Sequence, residues 1–500
     1  MKYFALFATA ALLGSTGLWM DMPVNSAEAF ADDLAIDAYV QQVKLVAQAS
    51  DQQNLDRVGA TVDISGDTAI VGSLGDNGQR GAGYVFVRNG IAWTLQQKLV
   101  PTDGASQDGC AAVAIEGDTA VLGCNGSDPG GVGSQGAVYI YVRTGTVWAL
   151  QQKLTHAEGA GGDFLGGRVA ISGDTVVATA AGDDVNNISN VGSVYVFVRN
   201  GTTWTEQARL NGTGVGFASS FATDIDISGD TVVAGAEFID IGSTNAGAAY
   251  VFIRTGTTWT QEARLLSPDP TTSDFFGSGV GISGDTIVVG ERQDGTNQGA
   301  GFVFVRNGST WTLQQKLTAS DGAANDELGW SAAIENDTIV LGASADFVQT
   351  INGYAYVYTR TGTTWTQAQK LLADDGASGD SFGRSVSIAG NSIVVGAAED
   401  DEGSVNAAGS AYIFAESSST ISGRVTTPTG LNLRNAIVNL TDAAGVRRTA
   451  TTSSFGVYTF NDIPTGSGYT IGVSSKRYRF AARIIDINAN LTNVDFVGLE

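Results

Sequence analysis

One motif of about 55 residues recurs seven times between residues 38 and 415 of this 500-residue chain. Its consensus is FG-x-S-V-x-I-S-G-D-T-I-V-V-G-A, a variable stretch, and then G-A-x-Y-V-F-V-R-x-G-T-T-W-T-x-Q-x-K-L. A unit of this length contains four short strands and cannot bury both faces of its own sheet, so the copies must stack on one another. Closure into a ring leaves no face uncovered. The repeat therefore predicts an all-β chain built on a seven-bladed β-propeller.

Turn signals divide each copy into four strands. In the fifth copy the predicted strands are Gly279–Ser283, Thr286–Gly290, Ala300–Arg306 and Thr310–Leu317. The aspartate of the S-G-D-T turn is expected to bond the backbone of its own turn. This marker position is occupied by Asp67, Asp118, Asp174, Asp230, Asp285, Asp337 and, in the seventh copy, Asn391.

The seventh copy lacks its fourth strand, since no W-T-x-Q-x-K-L segment follows Ala411–Ala415. A matching segment stands at the other end of the domain, where Ala38–Leu45 aligns with Ala92–Leu99. We therefore expect the N-terminal strand to complete the last blade, with Tyr39 opposite Ala415. The propeller would span residues 32–416.

An arginine ends the third strand of six copies, and a tryptophan begins the fourth strand five residues later. That spacing across a tight hairpin predicts a structural cation–π pair, with a row of sugar-binding platforms as the alternative. The pairs are Arg88/Trp93, Arg143/Trp148, Arg199/Trp204, Arg254/Trp259, Arg306/Trp311 and Arg360/Trp365.

The ends of the chain differ from its middle. Residues 1–31 resemble a secretory signal peptide, with Lys2, an apolar run from Phe4 to Leu13 and small residues before Asp32. We expect a secreted or cell-surface protein with no transmembrane segment in the mature chain. The net charge of −24 makes nucleic acid an unfavourable partner. Cys110 and Cys124 lie symmetrically about a hairpin turn, which predicts a disulfide, with two free buried thiols as the alternative.

The motifs resemble those of the FG-GAP repeat family, which includes the integrin α-subunit head. The F-G element is present as Phe276-Gly277 and Phe382-Gly383, and the G-A element as Gly396-Ala397, without the proline of the G-A-P element. The resemblance implies a β-propeller. Calcium-binding members carry a D-x-D-x-D-G loop, which this chain lacks. We expect no cofactor, although Ca²⁺ stays open, with Asp183, Asp184, Asp400 and Asp401 as weak candidate ligands.

The net charge changes sign near residue 420. Residues 417–420 are predicted to be a linker, and residues 421–500 read as about seven short strands of a small β-sandwich. The phrase from Thr451 to Pro464 is similar to that of carboxypeptidase-regulatory-like domains, which implies a non-catalytic spacer or adhesive unit.

Acidic residues collect in the loops that follow the second strands and before the first strands. Rigid scaffolds commonly bind ligands through such variable loops, although unconstrained drift gives the same pattern. Trp330 is expected at the mouth of an inner strand, where it either fills the channel or stacks on a ligand. The candidate ligand-face residues are Asp76, Asp183, Asp184, Asp240, Asp294, Trp330, Asp346 and Asp400.

No catalytic constellation stands out. The one histidine, His156, is expected in an exposed loop, and no nucleophile-elbow sequence flanks a serine. The sequence favours a non-enzymatic binding or adhesion protein whose partner is a protein or glycan of the cell surface or matrix. Two alternatives stay open: a polysaccharide-active enzyme or its substrate-binding subunit using loop carboxylates, and a structural surface-layer or matrix component.

Overall fold

The computed structural model describes residues 39–90, 92–156, 158–216, 221–344, 352–442, 445–464, 466–487 and 490–499. Residues 37–500 form one compact unit. The expected signal peptide and Asp346 lie outside the described residues. Within the described ranges, no helix is long and apolar enough to cross a membrane.

The repeats form seven four-stranded antiparallel sheets, which we number in chain order. Sheet one contains β2–β5, sheet two β6–β9, sheet three β10–β13, sheet four β14–β17, sheet five β18–β21 and sheet six β22–β25. Sheet seven has the order β1-β28-β27-β26. The strands are β1 (Tyr39–Leu45), β2 (Val58–Ser65), β3 (Thr68–Ser73), β4 (Ala82–Asn89), β5 (Ala92–Leu99), β6 (Cys110–Glu116), β7 (Thr119–Cys124), β8 (Ala137–Thr144), β9 (Val147–Leu154), β10 (Leu165–Ser172), β11 (Thr175–Ala180), β12 (Ser193–Asn200), β13 (Thr203–Leu210), β14 (Ile225–Ser228), β15 (Thr231–Ala236), β16 (Ala248–Thr255), β17 (Thr258–Leu265), β18 (Phe276–Ser283), β19 (Thr286–Glu291), β20 (Ala300–Asn307), β21 (Thr310–Leu317), β22 (Leu328–Glu335), β23 (Thr338–Ala343), β24 (Tyr354–Thr361), β25 (Thr364–Leu371), β26 (Phe382–Ala389), β27 (Ser392–Ala397) and β28 (Ser410–Glu416).

The predicted strands of the fifth copy are confirmed, with the first beginning at Phe276, three residues earlier than expected. Second strands such as β19 are buried along their whole length, because sheets cover them on both faces. In the part of the chain that the structure describes, helix is confined to single turns. These are α1 (Asp76–Gln79), α2 (Asp294–Asn297) and a 3₁₀ turn at Pro129–Gly131.

Neighbouring sheets share apolar cores. Between sheets one and two, for example, Ile70 and Val85 pack in one cluster with Val113 and Leu122. Each later pair of consecutive sheets has a cluster of the same kind. Sheets seven and one share one as well, in which Val394 and Ile413 pack with Ala69 and Val71. Among the described residues, such clusters thus link each sheet to the next, and sheet seven to sheet one.

The N-terminal strand completes sheet seven, as predicted. β1 pairs antiparallel with β28, but Tyr39 lies opposite Glu416 and Val40 lies opposite Ala415. The predicted register was wrong by one residue, because the comparison with earlier copies placed the end of β28 too early. Glu416 thus occupies the arginine position, and the Tyr39 hydroxyl donates to its carboxylate at 3.4 Å.

The C-terminal module contains the seven strands expected. They are β29 (Ser418–Thr426), β30 (Ile437–Thr441), β31 (Arg447–Thr451), β32 (Val457–Pro464), β33 (Gly466–Ser474), β34 (Arg483–Ile487) and β35 (Phe496–Val497). Two sheets, ordered β32-β29-β35 and β31-β30-β33-β34, enclose one apolar core that includes Ile421, Val438, Tyr458 and Ile471. The core is separate from those of the repeats.

Candidate functional site at the loop face

The repeat domain has two edges of different character. The turn face carries the hairpin turns between strands one and two and between strands three and four. The loop face carries the two–three loops and the sheet-to-sheet connections. Turns of successive sheets bond to each other, as when the Gly117 N–H donates to Ser65 Oγ at 3.0 Å. The sheets therefore have the same orientation, and each of the two faces contains the equivalent segments of all of them.

The arginine–tryptophan pairs lie near the turn face, and the predicted cation–π contact is confirmed. Guanidinium carbon and indole centroid are 4.9–5.6 Å apart in all six pairs. Each arginine also donates from Nε to the marker aspartate, at 2.6–2.7 Å. The aspartate thus links its turn to strand three, whereas the sequence predicted only a bond to the backbone of the turn itself.

The disulfide between Cys110 and Cys124 is present. The two residues lie directly opposite each other on β6 and β7, and both are fully buried. The crosslink therefore joins the loop-face ends of two neighbouring strands.

Most of the acidic candidates on the loop face are already paired. Four carboxylates each form an ion pair, at 2.6–2.8 Å, with a lysine or arginine of a fourth strand. In every case the basic residue is the second-to-last residue of that strand. Three of the four carboxylates are buried, and Asp294 is half-buried. The pairs are Asp76–Lys98, Asp183–Arg209, Asp294–Lys316 and Asp400–Lys44. These four side chains stabilise the loops and are poor ligand contacts.

The other acidic candidates that the structure describes are exposed but cap their own loops. Asp184 accepts from the Asn190 N–H at 2.9 Å, and Asp240 accepts from the Asn245 N–H at 2.8 Å. Asp401 accepts from the Ala407 N–H at 2.8 Å. Across the described ranges, no group of three His, Cys, Asp or Glu side chains is arranged to hold a metal ion. Calcium binding stays a prediction.

Aromatic and arginine side chains form a continuous series on the loop face of sheets four to seven. The Phe238 and Phe275 rings meet edge to face at 5.7 Å. The Arg292 guanidinium lies 4.1 Å from the Phe275 ring centroid and 4.9 Å from that of Trp330. The Arg384 guanidinium carbon lies 5.8 Å from the same Trp330 ring centroid. We call Phe238, Phe275, Arg292, Trp330 and Arg384 the aromatic–arginine arc.

A buried ionic network supports the arc. Arg292 is 7% exposed and pairs with Glu237 at 2.9 Å and with Glu327 at 4.0 Å. Gln293 donates to Glu327 at 3.3 Å. Buried charges are costly unless they are paired, so this network fixes the arc rather than adding much stability.

Backbone strain recurs beside the arc. The residue two positions before the glycine of each F-G element adopts a left-handed conformation, with φ of 59° at Phe164 and 58° at Phe275. Glycine is the residue best suited to that conformation, and the second copy has Gly109 there with φ 61°. Arg57, Glu327 and Ser381 adopt it at the equivalent positions, so the conformation belongs to the repeat as a whole.

The first strands of all seven sheets line one cavity with a volume of about 710 Å³, which we call the channel. Trp330 is half-buried in its wall, so both predicted roles, filling the channel and facing a ligand, are sterically open to it. Asp63, Asp224 and Asp226 also line the channel, and burial raises the pKa of each carboxyl. Each accepts a main-chain N–H from the next sheet, such as Ile282 N–H to Asp226 at 2.8 Å.

Two buried titratable groups lie under the loop face and were not predicted from the sequence. His156 was expected to be exposed, which was wrong: it is 3% exposed, with Nε2 3.3 Å from Asp163 Oδ2 and its ring 4.5 Å from Tyr195. Glu291 is fully buried, and burial raises its pKa to about 8. Comparison of the copies could have found Glu291, because the other six have a small residue there. These are Ser73, Cys124, Ala180, Ala236, Ala343 and Ala397.

A family model described as FG-GAP repeat matches well over half of the chain, in seven segments. They are residues 39–86, 93–141, 148–197, 204–252, 259–305, 311–358 and 365–414. The chain belongs to the FG-GAP repeat family. Each FG-GAP unit starts with the fourth strand of one sheet and continues through three strands of the next, so every unit links two sheets.

The C-terminal module also matches a family model. The carboxypeptidase regulatory-like domain covers residues 420–497. No curated protein matches the chain significantly. The FG-GAP assignment thus rests on the repeats themselves.

Proposed function

We propose that the seven sheets close into a β-propeller and that the chain is an exported, non-enzymatic binding or adhesion protein. Its ligand, a protein or glycan, would be held on the loop face. The apolar core shared by sheets seven and one supports closure. So does the Arg88 guanidinium, which donates to Ser392 Oγ at 3.2 Å, as other arginines donate to the threonine of the preceding sheet.

The distribution of exposed apolar side chains carries the proposal. Among the described repeat residues, four large hydrophobic side chains are exposed on fourth strands: Val40, Val147, Leu150 and Leu313. Seven are exposed in loop-face segments, and such concentration on one surface is typical of interaction sites. They are Leu55, Leu74, Val132, Phe164, Ile188, Phe238 and Leu372.

Binding to arrays of matrix proteins and glycans tests this assignment. The double variant Phe164→Ser/Phe238→Ser should lose at least tenfold in affinity for the captured ligand, because both rings are exposed on the loop face. Val147→Ser, which changes a still more exposed side chain beside the turn face, is the matched control and should bind normally. Equal loss in both variants, or release of sugar from a polymer by the wild type, would contradict the proposal.

A further inference from the structure

We propose that the loop-face mouth of the central channel binds the end of a neutral oligosaccharide. The inference rests on the proposed function, since it requires a closed ring with its ligand on the loop face. It adds a chemical class of ligand and a place for it. Trp330 and the hydroxyl, carboxylate and guanidinium groups around it supply the contacts.

The shape of the site favours a small, elongated ligand. A volume of about 710 Å³ lies within the range of small-molecule sites, which bury most of their ligand in a concavity. A protein partner instead needs a broad surface of roughly 800 Å² on each side. The channel therefore suits a chain end that enters along its axis.

The wall combines hydrogen-bond acceptors with donors, as a polyhydroxyl ligand requires. Ser278 and Ser331 each donate to a main-chain oxygen of the next sheet at 2.9 Å, which leaves lone pairs on their hydroxyl oxygens to accept from a ligand. The carboxylates of Asp224 and Asp226 have further acceptor positions. Arg168, which also lines the channel, supplies guanidinium donors.

An apolar ring face stands among these polar groups. Trp330 is half-buried in the channel wall beside Arg384. Aromatic side chains with polar neighbours contribute contact area at low conformational cost while the neighbours fix orientation. A sugar ring has the same mixed character, with apolar C–H groups on its faces and hydroxyls on its edge.

The charges of the mouth exclude a polyanionic glycan. Two arginines there, Arg168 and Arg292, are matched by carboxylates, with Arg168 Nε 3.6 Å from Asp224 and Arg292 Nε 2.9 Å from Glu237. The whole chain carries a net charge of −24, which repels polyanions. A neutral sugar avoids this repulsion, and its hydroxyls can hydrogen-bond to both the guanidinium group and the carboxylate of each ion pair.

An array that carries both neutral and uronic-acid-containing oligosaccharides tests the inference, followed by calorimetric titration of the strongest neutral binder. Trp330→Ala should weaken binding at least tenfold, and Trp330→Phe should restore it to within about threefold of the wild type. Val147→Ser, beside the turn face, should change the affinity less than twofold. Because Trp330→Ala could unfold the chain, Arg168→Met provides a second variant with the same expected loss.

The outcomes separate this inference from the proposed function. Binding to acidic glycans alone, or neutral-glycan binding that Trp330→Ala and Arg168→Met leave unchanged, would overturn the channel site. So would the absence of any glycan binding. If a protein ligand is then lost in Phe164→Ser/Phe238→Ser, the loop-face function survives without the sugar site. If that variant also binds normally, both fail.

Discussion

Among single residues, Glu291 departs most sharply from its repeat. It places a carboxyl group, fully buried, where the other copies have a small side chain. Burial raises its pKa from the ordinary 4.5 to about 8, and neighbouring Asp274 and Asp294 act in the same direction. The folded protein therefore holds this proton at neutral pH, whereas the unfolded chain releases it.

Substitution of Glu291 should change how stability depends on pH. A folded-state pKa above the unfolded value gives stability that is complete below about pH 4.5 and is lost as the pH rises through 8. Glu291→Gln removes this loss, so its melting temperature should exceed that of the wild type at about pH 9 and not at pH 4.5. Calorimetry at several pH values measures the difference. Glu158→Gln, at an exposed position, is the control, and an unchanged pH slope in Glu291→Gln would contradict the assignment.

Among the elements, β1 forms part of a sheet whose other strands come from the far end of the repeat domain. It reaches β28 by main-chain pairing and the loops of sheet seven by Lys44. Lys44 Nζ lies 2.8 Å from both Asp400 and Asp375 and 3.2 Å from Glu402. These partners outweigh the burial of the ammonium group and raise the pKa of Lys44.

Loss of the Lys44 charge should destabilise the chain strongly. In Lys44→Met, Asp400, which is 5% exposed, would be left without its closest cation. Removal of one partner from a buried pair costs about 3–5 kcal/mol. Lys316→Met is the matched control, since the Asp294 side chain is 21% exposed and should tolerate the loss better. Urea unfolding compares the two, and equal losses would show that Lys44 has no special role in holding β1.

The sequence was a good guide to strands and a poor one to loop contacts, for a physical reason. Glycine-containing turns fix where strands begin and end, so β18–β21 follow from local pattern. The Asp76–Lys98 pair joins a loop to a later strand, and the arc joins side chains of different sheets. Such contacts depend on how sheets pack, which spacing along the chain does not specify.

For the whole molecule, the junction of sheets seven and one decides whether there is a channel at all. Ser385 Oγ accepts from the Val62 N–H at 3.0 Å, and Ser387 Oγ donates to Asp63 at 2.7 Å. One hydrogen bond between turns, which recurs at other junctions of neighbouring sheets, is missing at this one. Ala389 stands where Ser65 and Ser228 provide a side-chain oxygen for the next turn. This junction thus depends on its shared core, on β1 and on the contacts deeper in the channel.

Covalent trapping of that junction tests closure directly. In Asp63→Cys/Ser387→Cys, two cysteines replace side chains in hydrogen-bond contact across the junction, 324 residues apart in sequence. Oxidation of the monomer should form an intramolecular disulfide in high yield, which peptide mass spectrometry identifies. Asp63→Cys/Asp226→Cys places the second cysteine in sheet four and should form none. A closed ring predicts the crosslink in the first variant only, and its absence there, or crosslinks only between molecules, would contradict the propeller.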